Sequence, residues 1–186
     1  KFFSDDDFIN LLLQISMSTL MSQNDDQEYF FQIIFPFISD IFYKCQLSVT
    51  QELFSTIISV ALEGSFKLRS TAFLFINSVF DHIIIESPEY FNDCKFYELL
   101  VEMVMTNIDD VLSQIIECIN KLLSSQQCNF TQYIMKLPGE SLEQFMDELD
   151  RIDDETDDSD ISRNIYYIKS LIKKSLPRPY ECVDDL

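Results

Sequence analysis

Acid–base catalysis near neutral pH most often uses histidine, and this chain has a single one, His82. The neighbouring Asp81 would point about 100° away from it around a helix, so the two do not form a ready pair. A Ser–His–Asp or Cys–His device would need partners from elsewhere in the chain, which the sequence does not indicate. We therefore predict that His82 is a surface or groove residue and that the chain is not an enzyme.

The cysteine pattern also gives little support for disulfide bonds or a metal site. The cysteines are odd in number, widely spaced and without a C-x-x-C pair: Cys45, Cys94, Cys118, Cys128 and Cys182. A disulfide framework or a zinc site would show closer, paired spacing. The pattern predicts buried reduced thiols, no metal, no cofactor, and a reducing compartment, the cytoplasm or the nucleus. The glycosylation triplet Asn129–Phe130–Thr131 is the one feature that disagrees with a reducing compartment, but such triplets arise often by chance.

The acidic run from Asp153 to Asp160 has the composition of a calcium loop but not its pattern. An EF-hand loop beginning at Asp153 needs glycine and glutamate where this chain has Asp158 and Asn164. The run therefore predicts a solvated acidic linker, which could fold back on the lysines of the final helix.

The composition argues against several other classes of protein. Two glycines are too few for the tight turns of β-rich folds and for glycine-rich phosphate loops. The apolar runs are much shorter than the roughly 18–20 residues of a membrane span, so none is predicted. A net charge of −19 opposes binding to a nucleic-acid backbone, and it is compatible with a basic protein or peptide partner.

Apolar residues recur at helical spacing along the chain. We predict long helices over 8–20, 26–44, 48–64, 65–85, 87–105 and 108–124, shorter ones over 129–136 and 141–151, and a last amphipathic helix over 161–176. Ile33 and Phe37 are predicted on the buried face of the second helix. Gly64 is predicted to end the third helix in a left-handed cap, and Ser87 to cap the start of the fifth.

Two of these helix pairs repeat at an interval of about 43 residues. Shifted by this interval, residues 54–62 lie over 97–105, and Gly64 lies over Asn107. The register continues into the next helix, where Ala72 meets Ile115. A pair of helices with one apolar face each cannot bury that face alone, so a fixed interval indicates units that stack.

The segment from Lys67 to Phe80, with its small Ala72 and its apolar Ile76 and Val79, resembles the last helix of an armadillo repeat. The interval also falls within the range of about 40–47 residues for armadillo and HEAT units. The resemblance implies an all-α fold, a right-handed superhelical solenoid of stacked helix pairs with a helical C-terminal extension. We expect repeats over 1–136, an acidic connecting segment with a short helix over 137–160, and a C-terminal amphipathic helix and tail over 161–186.

In armadillo proteins the last helix of each repeat lines a concave groove that holds partner peptides. By position, the resemblance implies a partner-binding face made of Thr71, Leu74, Ser78, Asp81, Gln114, Glu117 and Lys121. Their mostly polar, helically spaced side chains are slightly more typical of an ordinary hydrated helix face. The chain has no Trp and so lacks the Trp–Asn ladder with which importin-alpha grips basic peptides. Asn77 and Asn120 are expected to bond neighbouring backbone.

Two functions follow as predictions. The first is a non-catalytic protein–protein interaction scaffold that binds a partner on the concave helical face. The alternative is an internal structural segment of a large helical-repeat protein, such as a transport receptor or regulatory subunit, with no binding site of its own. Most of the 17 phenylalanines are predicted to fill the core, and exposure of Phe31, Phe35 or Phe73 would mark an interface.

Overall fold

A computed structural model describes residue 29 and residues 33–37, 49–92, 94–106 and 109–176, and these contain helices and turns but no β-strand. The prediction of an all-α protein is confirmed. The predicted helix over 8–20 and most of that over 26–44 lie outside the described residues. The described residues divide into two compact units, one with residues up to 99 and 109–111, the other with 100–106 and 112–176.

The first unit is built around two long helices, α1 (Gln51–Glu63) and α2 (Phe66–Glu86), which pack against each other. α2 also contacts two 3-10 turns, Pro88–Asn92 and Asp109–Val111. The first half of α3 (Cys94–Met105) completes this unit. The predicted helices over 48–64 and 65–85 are therefore confirmed as α1 and α2.

Side-chain caps explain where these two helices begin. Thr50 Oγ1 accepts the backbone N–H of Leu53 at 3.3 Å, and Ser65 Oγ accepts that of Leu68 at 3.4 Å. The first four N–H groups of a helix have no partner inside the helix, so each cap satisfies one of them. Replacing such a cap by alanine typically costs about 0.5–2 kcal/mol.

The end of α1 differs from the prediction. Gly64 has φ −87° and ψ 169°, which is extended backbone and not a left-handed cap. The guanidinium of Arg69 covers the helix end instead. Its Nε donates to the carbonyl of Ala61 and its Nη2 to that of Leu62, both at 3.2 Å. A side chain from α2 thus satisfies two carbonyl groups that a left-handed glycine would otherwise help to satisfy.

An aromatic cluster forms the core of the first unit. Phe91 lies 5.5 Å edge-to-face from Phe54, 4.8 Å from Phe80 and 5.1 Å from Phe96, measured between ring centroids. All four side chains are almost completely buried. Such ring pairs contribute about 0.5–1.5 kcal/mol beyond the burial of their area.

The position of Phe91 explains a second difference from the prediction. The predicted continuous helix over 87–105 is a 3-10 turn followed by α3, and the turn directs Phe91 into the cluster. Ser87 ends α2, where its N–H donates to the carbonyl of Ile83 at 2.8 Å. Ser87 also precedes the 3-10 turn, where its backbone carbonyl accepts the N–H of Tyr90 at 3.0 Å, so it does not cap the long helix that was predicted to begin there.

The predicted burial of Ile33 and Phe37 was also wrong. Ile33 and Phe37 are 54% and 49% exposed, whereas Phe35 is buried, with its ring 6.3 Å from that of Phe75. Phe73, another residue whose exposure would have marked an interface, is fully buried. Core filling therefore accounts for both Phe35 and Phe73.

The second unit contains α4 (Leu112–Ser124), α5 (Phe130–Ile134), α6 (Gly139–Glu155) and α7 (Ser159–Ser175). α7 packs against each of the other three helices. The buried side chains of α7 are Ile165, Ile168 and Ile172. This confirms that the predicted last helix is amphipathic, and each buried isoleucine contributes about 1.5–3 kcal/mol.

The acidic segment is more ordered than predicted. α6 runs to Glu155 and buries Phe145, Leu149 and Ile152, so the connection to α7 is only residues 156–158. Asp158 caps α7, because its Oδ1 accepts the N–H of Asp160 at 2.8 Å and that of Ile161 at 3.3 Å. The prediction of a linker over 153–160 was therefore wrong for residues 153–155 and 159–160, which are helical.

Candidate protein-binding face

The four predicted groove residues of α2 lie on one solvent-facing stripe. Leu74 is 47% exposed, Ser78 and Asp81 are exposed, and Thr71 is partly exposed. The stripe extends by one residue at each end, and we call it the α2 face. It comprises Lys67, Thr71, Leu74, Ser78, Asp81 and Ile85, which recur at intervals of three or four residues and so share one side of the helix.

Ile85 was missed by the sequence analysis. Its side chain is 77% exposed, the highest value among the described large apolar residues. The signal was present, because Ile85 follows Asp81 by four residues and Leu74 by eleven, which returns to the same side of the helix. It was overlooked because the run Ile83–Ile85 looks uniformly apolar, as expected for a buried segment.

The polar groups of the α2 face are partly used within the helix. Thr71 Oγ1 donates to the carbonyl of Lys67 at 2.9 Å, and Ser78 Oγ donates to that of Phe75 at 2.7 Å. The hydroxyl oxygen of Thr71 keeps acceptor capacity. The α2 face can therefore offer two apolar contacts, from Leu74 and Ile85, separated by exposed polar side chains.

The three predicted residues of α4 lie along one side of that helix. Glu117 is exposed, and Gln114 and Lys121 are partly exposed. Lys121 Nζ lies 3.0 Å from Glu117 Oε1, an exposed pair one turn apart that contributes about 0.3–0.5 kcal/mol. Gln114 Oε1 is shielded from solvent and accepts no hydrogen bond from the described residues. These residues belong to the second unit and those of α2 to the first.

Asn120 was expected to bond neighbouring backbone, but its amide nitrogen does not. Its Nδ2 donates to Asn164 Oδ1 at 2.9 Å, which links α4 to α7. The Oδ1 of Asn120 is shielded from solvent and accepts no hydrogen bond from the described residues. The two asparagines are 44 residues apart in the chain, so no local pattern could have paired them.

His82 lies on the surface, as predicted. Its Nε2 is 3.1 Å from Glu86 Oε2, and both side chains are about half exposed. The two residues are one helical turn apart, a common surface arrangement. Among the described residues, no group of three or more histidine, cysteine, aspartate or glutamate side chains is placed to hold a metal ion.

Cys118 and Cys128 are buried thiols, which confirms the prediction for these two cysteines. Burial raises the pKa of the Cys128 thiol above its ordinary value, and a hydrogen bond with the Ser125 side chain partly opposes the rise. A raised pKa keeps the thiol protonated and unreactive at neutral pH.

Among the described residues, only α2 is long and apolar enough to cross a membrane, with a mean hydropathy of 1.3 over its most apolar window. Half of that window is buried in the structure, and core helices pass the same test, so this is weak evidence for a span.

No family model, curated protein or solved structure matches this chain.

Proposed function

We propose that this chain is a non-catalytic protein-interaction scaffold whose partner binds along the α2 face. The observation that carries the proposal is the exposure of Leu74 and Ile85 on the same side of a helix whose opposite side is buried. Eleven residues separate them, which corresponds to roughly 16 Å along the helix. A partner peptide or helix spans that distance easily and would cover both side chains.

The energetics of this face suit a protein partner. Removing a leucine or isoleucine side chain from water contributes about 1.5–3 kcal/mol. Ser78 and Asp81, which lie between the two apolar residues, supply the polar contacts that fix a partner's register. The net charge of −19 favours a basic partner, and the proposed compartment is the cytoplasm or nucleus.

An armadillo/HEAT-like solenoid is the architecture in which we place this face. The support is the interval of about 43 residues between the two helix pairs and the resemblance of α2 to the last helix of an armadillo repeat. The packing of α1 against α2 is what such a repeat unit requires.

Affinity capture with the whole chain as bait, followed by mass spectrometry, tests the α2 face. The double variant Leu74→Glu with Ile85→Glu makes the net charge two units more negative and places carboxylates on the face. Lys136→Glu, at an exposed residue of the second unit, changes the charge equally and serves as control. We expect the captured partner to be lost with the double variant and retained with the control. Capture at the wild-type level by both variants would exclude the α2 face.

A charge exchange tests the α4 residues separately. Glu117→Lys combined with Lys121→Glu preserves the net charge and the ion pair while reversing its direction. If this exchange abolishes capture and the Leu74 and Ile85 substitutions do not, the partner binds on α4.

The alternative function, an internal structural segment of a larger helical-repeat protein, is favoured by a different observation. Ile33 and Phe37 are one helical turn apart and about half exposed, an apolar pair that a neighbouring repeat would cover. Under this alternative, Ile33→Ser with Phe37→Ser reduces self-association of the chain in sedimentation, and no variant on the α2 face changes any binding.

A further inference from the structure

α7 has a charge opposite to that of the chain as a whole. Between Ser159 and Ser175 it contains four basic residues, Arg163, Lys169, Lys173 and Lys174, and one acid, Asp160, a net charge of +3 in a chain of −19. α6, which packs against it, has eight acids and one arginine, a net charge of −7. The positive charge is therefore concentrated on one element of the second unit.

Most of this positive charge lies on the outer side of α7. The exposed residues opposite the buried isoleucines form what we call the α7 face: Arg163, Tyr166, Tyr167, Ser170, Lys173 and Lys174. Tyr166 is 75% exposed and Tyr167 is 42% exposed, so two aromatic rings stand among three cations. Lys169 lies at the edge of this face, where its ammonium group pairs with Asp150 of α6.

The contacts within the α7 face use little of its binding capacity. Arg163 Nη2 lies 2.8 Å from Asp160 Oδ1, an exposed pair worth at most about 1 kcal/mol. Ser170 Oγ donates to the carbonyl of Tyr167 at 2.7 Å. Tyrosine is enriched in protein interfaces because its ring offers apolar area and its hydroxyl stays polar. Arginine in the same patch adds a planar donor that suits carboxylates.

We propose that the α7 face is a second docking surface, which binds an acidic amphipathic helix of a partner protein. Charge complementarity selects the acidic side chains, which would meet Arg163, Lys173 and Lys174. Apolar side chains on the same helix would cover Tyr166 and Tyr167. The two proposed surfaces thus differ in sign, because the α2 face is proposed to bind a basic partner.

An acidic protein helix suits this face better than a nucleic acid or a second copy of the chain does. A nucleic acid would extend its phosphates past α7 onto the strongly acidic α6, where they would be repelled. A second copy of the chain would bring another 19 net negative charges, which oppose self-association. A short helix can place all its carboxylates within the arc of the three cations.

Fluorescence anisotropy with designed peptides tests the proposal on the whole chain. The probe is a labelled helical peptide of about 17 residues, matched to the length of α7, with leucine on one side and glutamate along both edges. A peptide with lysine in place of each glutamate is its counterpart. We expect binding of the acidic peptide only, weakened about tenfold by Lys174→Glu and by Tyr166→Ser with Tyr167→Ser. Lys136→Glu should leave the affinity unchanged, and circular dichroism should show that all variants are folded.

Several outcomes would overturn this proposal. No binding of the acidic peptide, or equal binding of the lysine peptide, excludes an acidic helix as the partner. Binding of a labelled single-stranded RNA that Lys174→Glu abolishes would assign the face to nucleic acid. A concentration-dependent dimer in sedimentation, lost in Lys174→Glu, would assign it to a second copy of the chain. If partner capture survives Leu74→Glu with Ile85→Glu while the acidic peptide still binds, only the function proposed above is refuted.

Discussion

The two glycines of the chain, Gly64 and Gly139, place the same substitution in opposite surroundings. A Cβ added at Gly64 would lie 2.7 Å from Leu68 Cδ2 and 2.8 Å from the carbonyl oxygen of Val60. The leucine can rotate, but the oxygen belongs to the last turn of α1 and can move only with it. At Gly139, where α6 begins, an added Cβ would have no neighbour within 4 Å.

The sign of each effect follows from two contributions. Replacing glycine by alanine restricts the unfolded chain, which stabilises the protein by about 0.4–1 kcal/mol where the native backbone suits alanine. Neither glycine has a left-handed backbone, so both substitutions gain this contribution. Gly64→Ala also overpacks the end of α1, at a cost of about 1–3 kcal/mol. We expect Gly139→Ala to stabilise and Gly64→Ala to destabilise, the latter by a net amount of about 0.5–2 kcal/mol.

Urea and thermal unfolding, followed by far-ultraviolet circular dichroism, measure both effects. For a chain of this size, each kcal/mol shifts the melting temperature by about 2–4 °C. Gly64→Ala should therefore lower it and Gly139→Ala should raise it. If Gly64→Ala is as stable as the wild type or more stable, the end of α1 has room for a Cβ, and the predicted overpacking is refuted. A loss of stability in Gly139→Ala would refute the argument from the unfolded chain.

Three further predictions concern the cores. Asn164→Ala removes the acceptor of the hydrogen bond that links α4 to α7, so it should lower the free energy of unfolding by about 1–3 kcal/mol because Asn120 is left without its partner. In urea unfolding, Asn120→Leu with Asn164→Leu should cost less than the sum of the two single changes. Simple additivity would show that the two side chains do not interact. Phe54→Ala should cost about 3–5 kcal/mol in the same assay, since it opens the aromatic cluster around Phe91, and a cost below 1 kcal/mol would mean that the cluster is not packed as described. The pKa of Cys128 is raised in the folded state, so its contribution to stability is complete below the ordinary thiol value of 9.0 and declines as pH rises above it. Cys128→Ala should therefore reduce the loss of stability at alkaline pH. Identical plots of stability against pH for the two proteins would contradict the burial of this thiol.

The sequence predicts helices well here because their signals are local. Thr50 and Ser65 cap helices from the position just before them, and apolar residues at three- and four-residue spacing mark the buried sides of α2 and α7. These signals act over one or two turns, so they survive whatever the tertiary arrangement is. The solvent-facing stripe of α2 was predictable for the same reason.

Contacts between distant residues were not predictable. The bond from Asn120 to Asn164 and the cover that Arg69 provides for the end of α1 depend on how helices are placed against each other. The 3-10 turn at Pro88–Asn92 exists because Phe91 fits the aromatic cluster, which overrides the helical preference of that segment. Ile33 and Phe37 were misassigned because a run with several apolar residues fits more than one inward face.

The position of α2 has a consequence for how the first unit opens. This helix contacts α1 and both 3-10 turns, so any opening that exposes one of those elements also uncovers part of α2. Partial opening should therefore occur at the periphery and leave the central turns of α2 closed. Their amide protons should exchange with deuterium the most slowly in the unit, at a rate set by its complete unfolding.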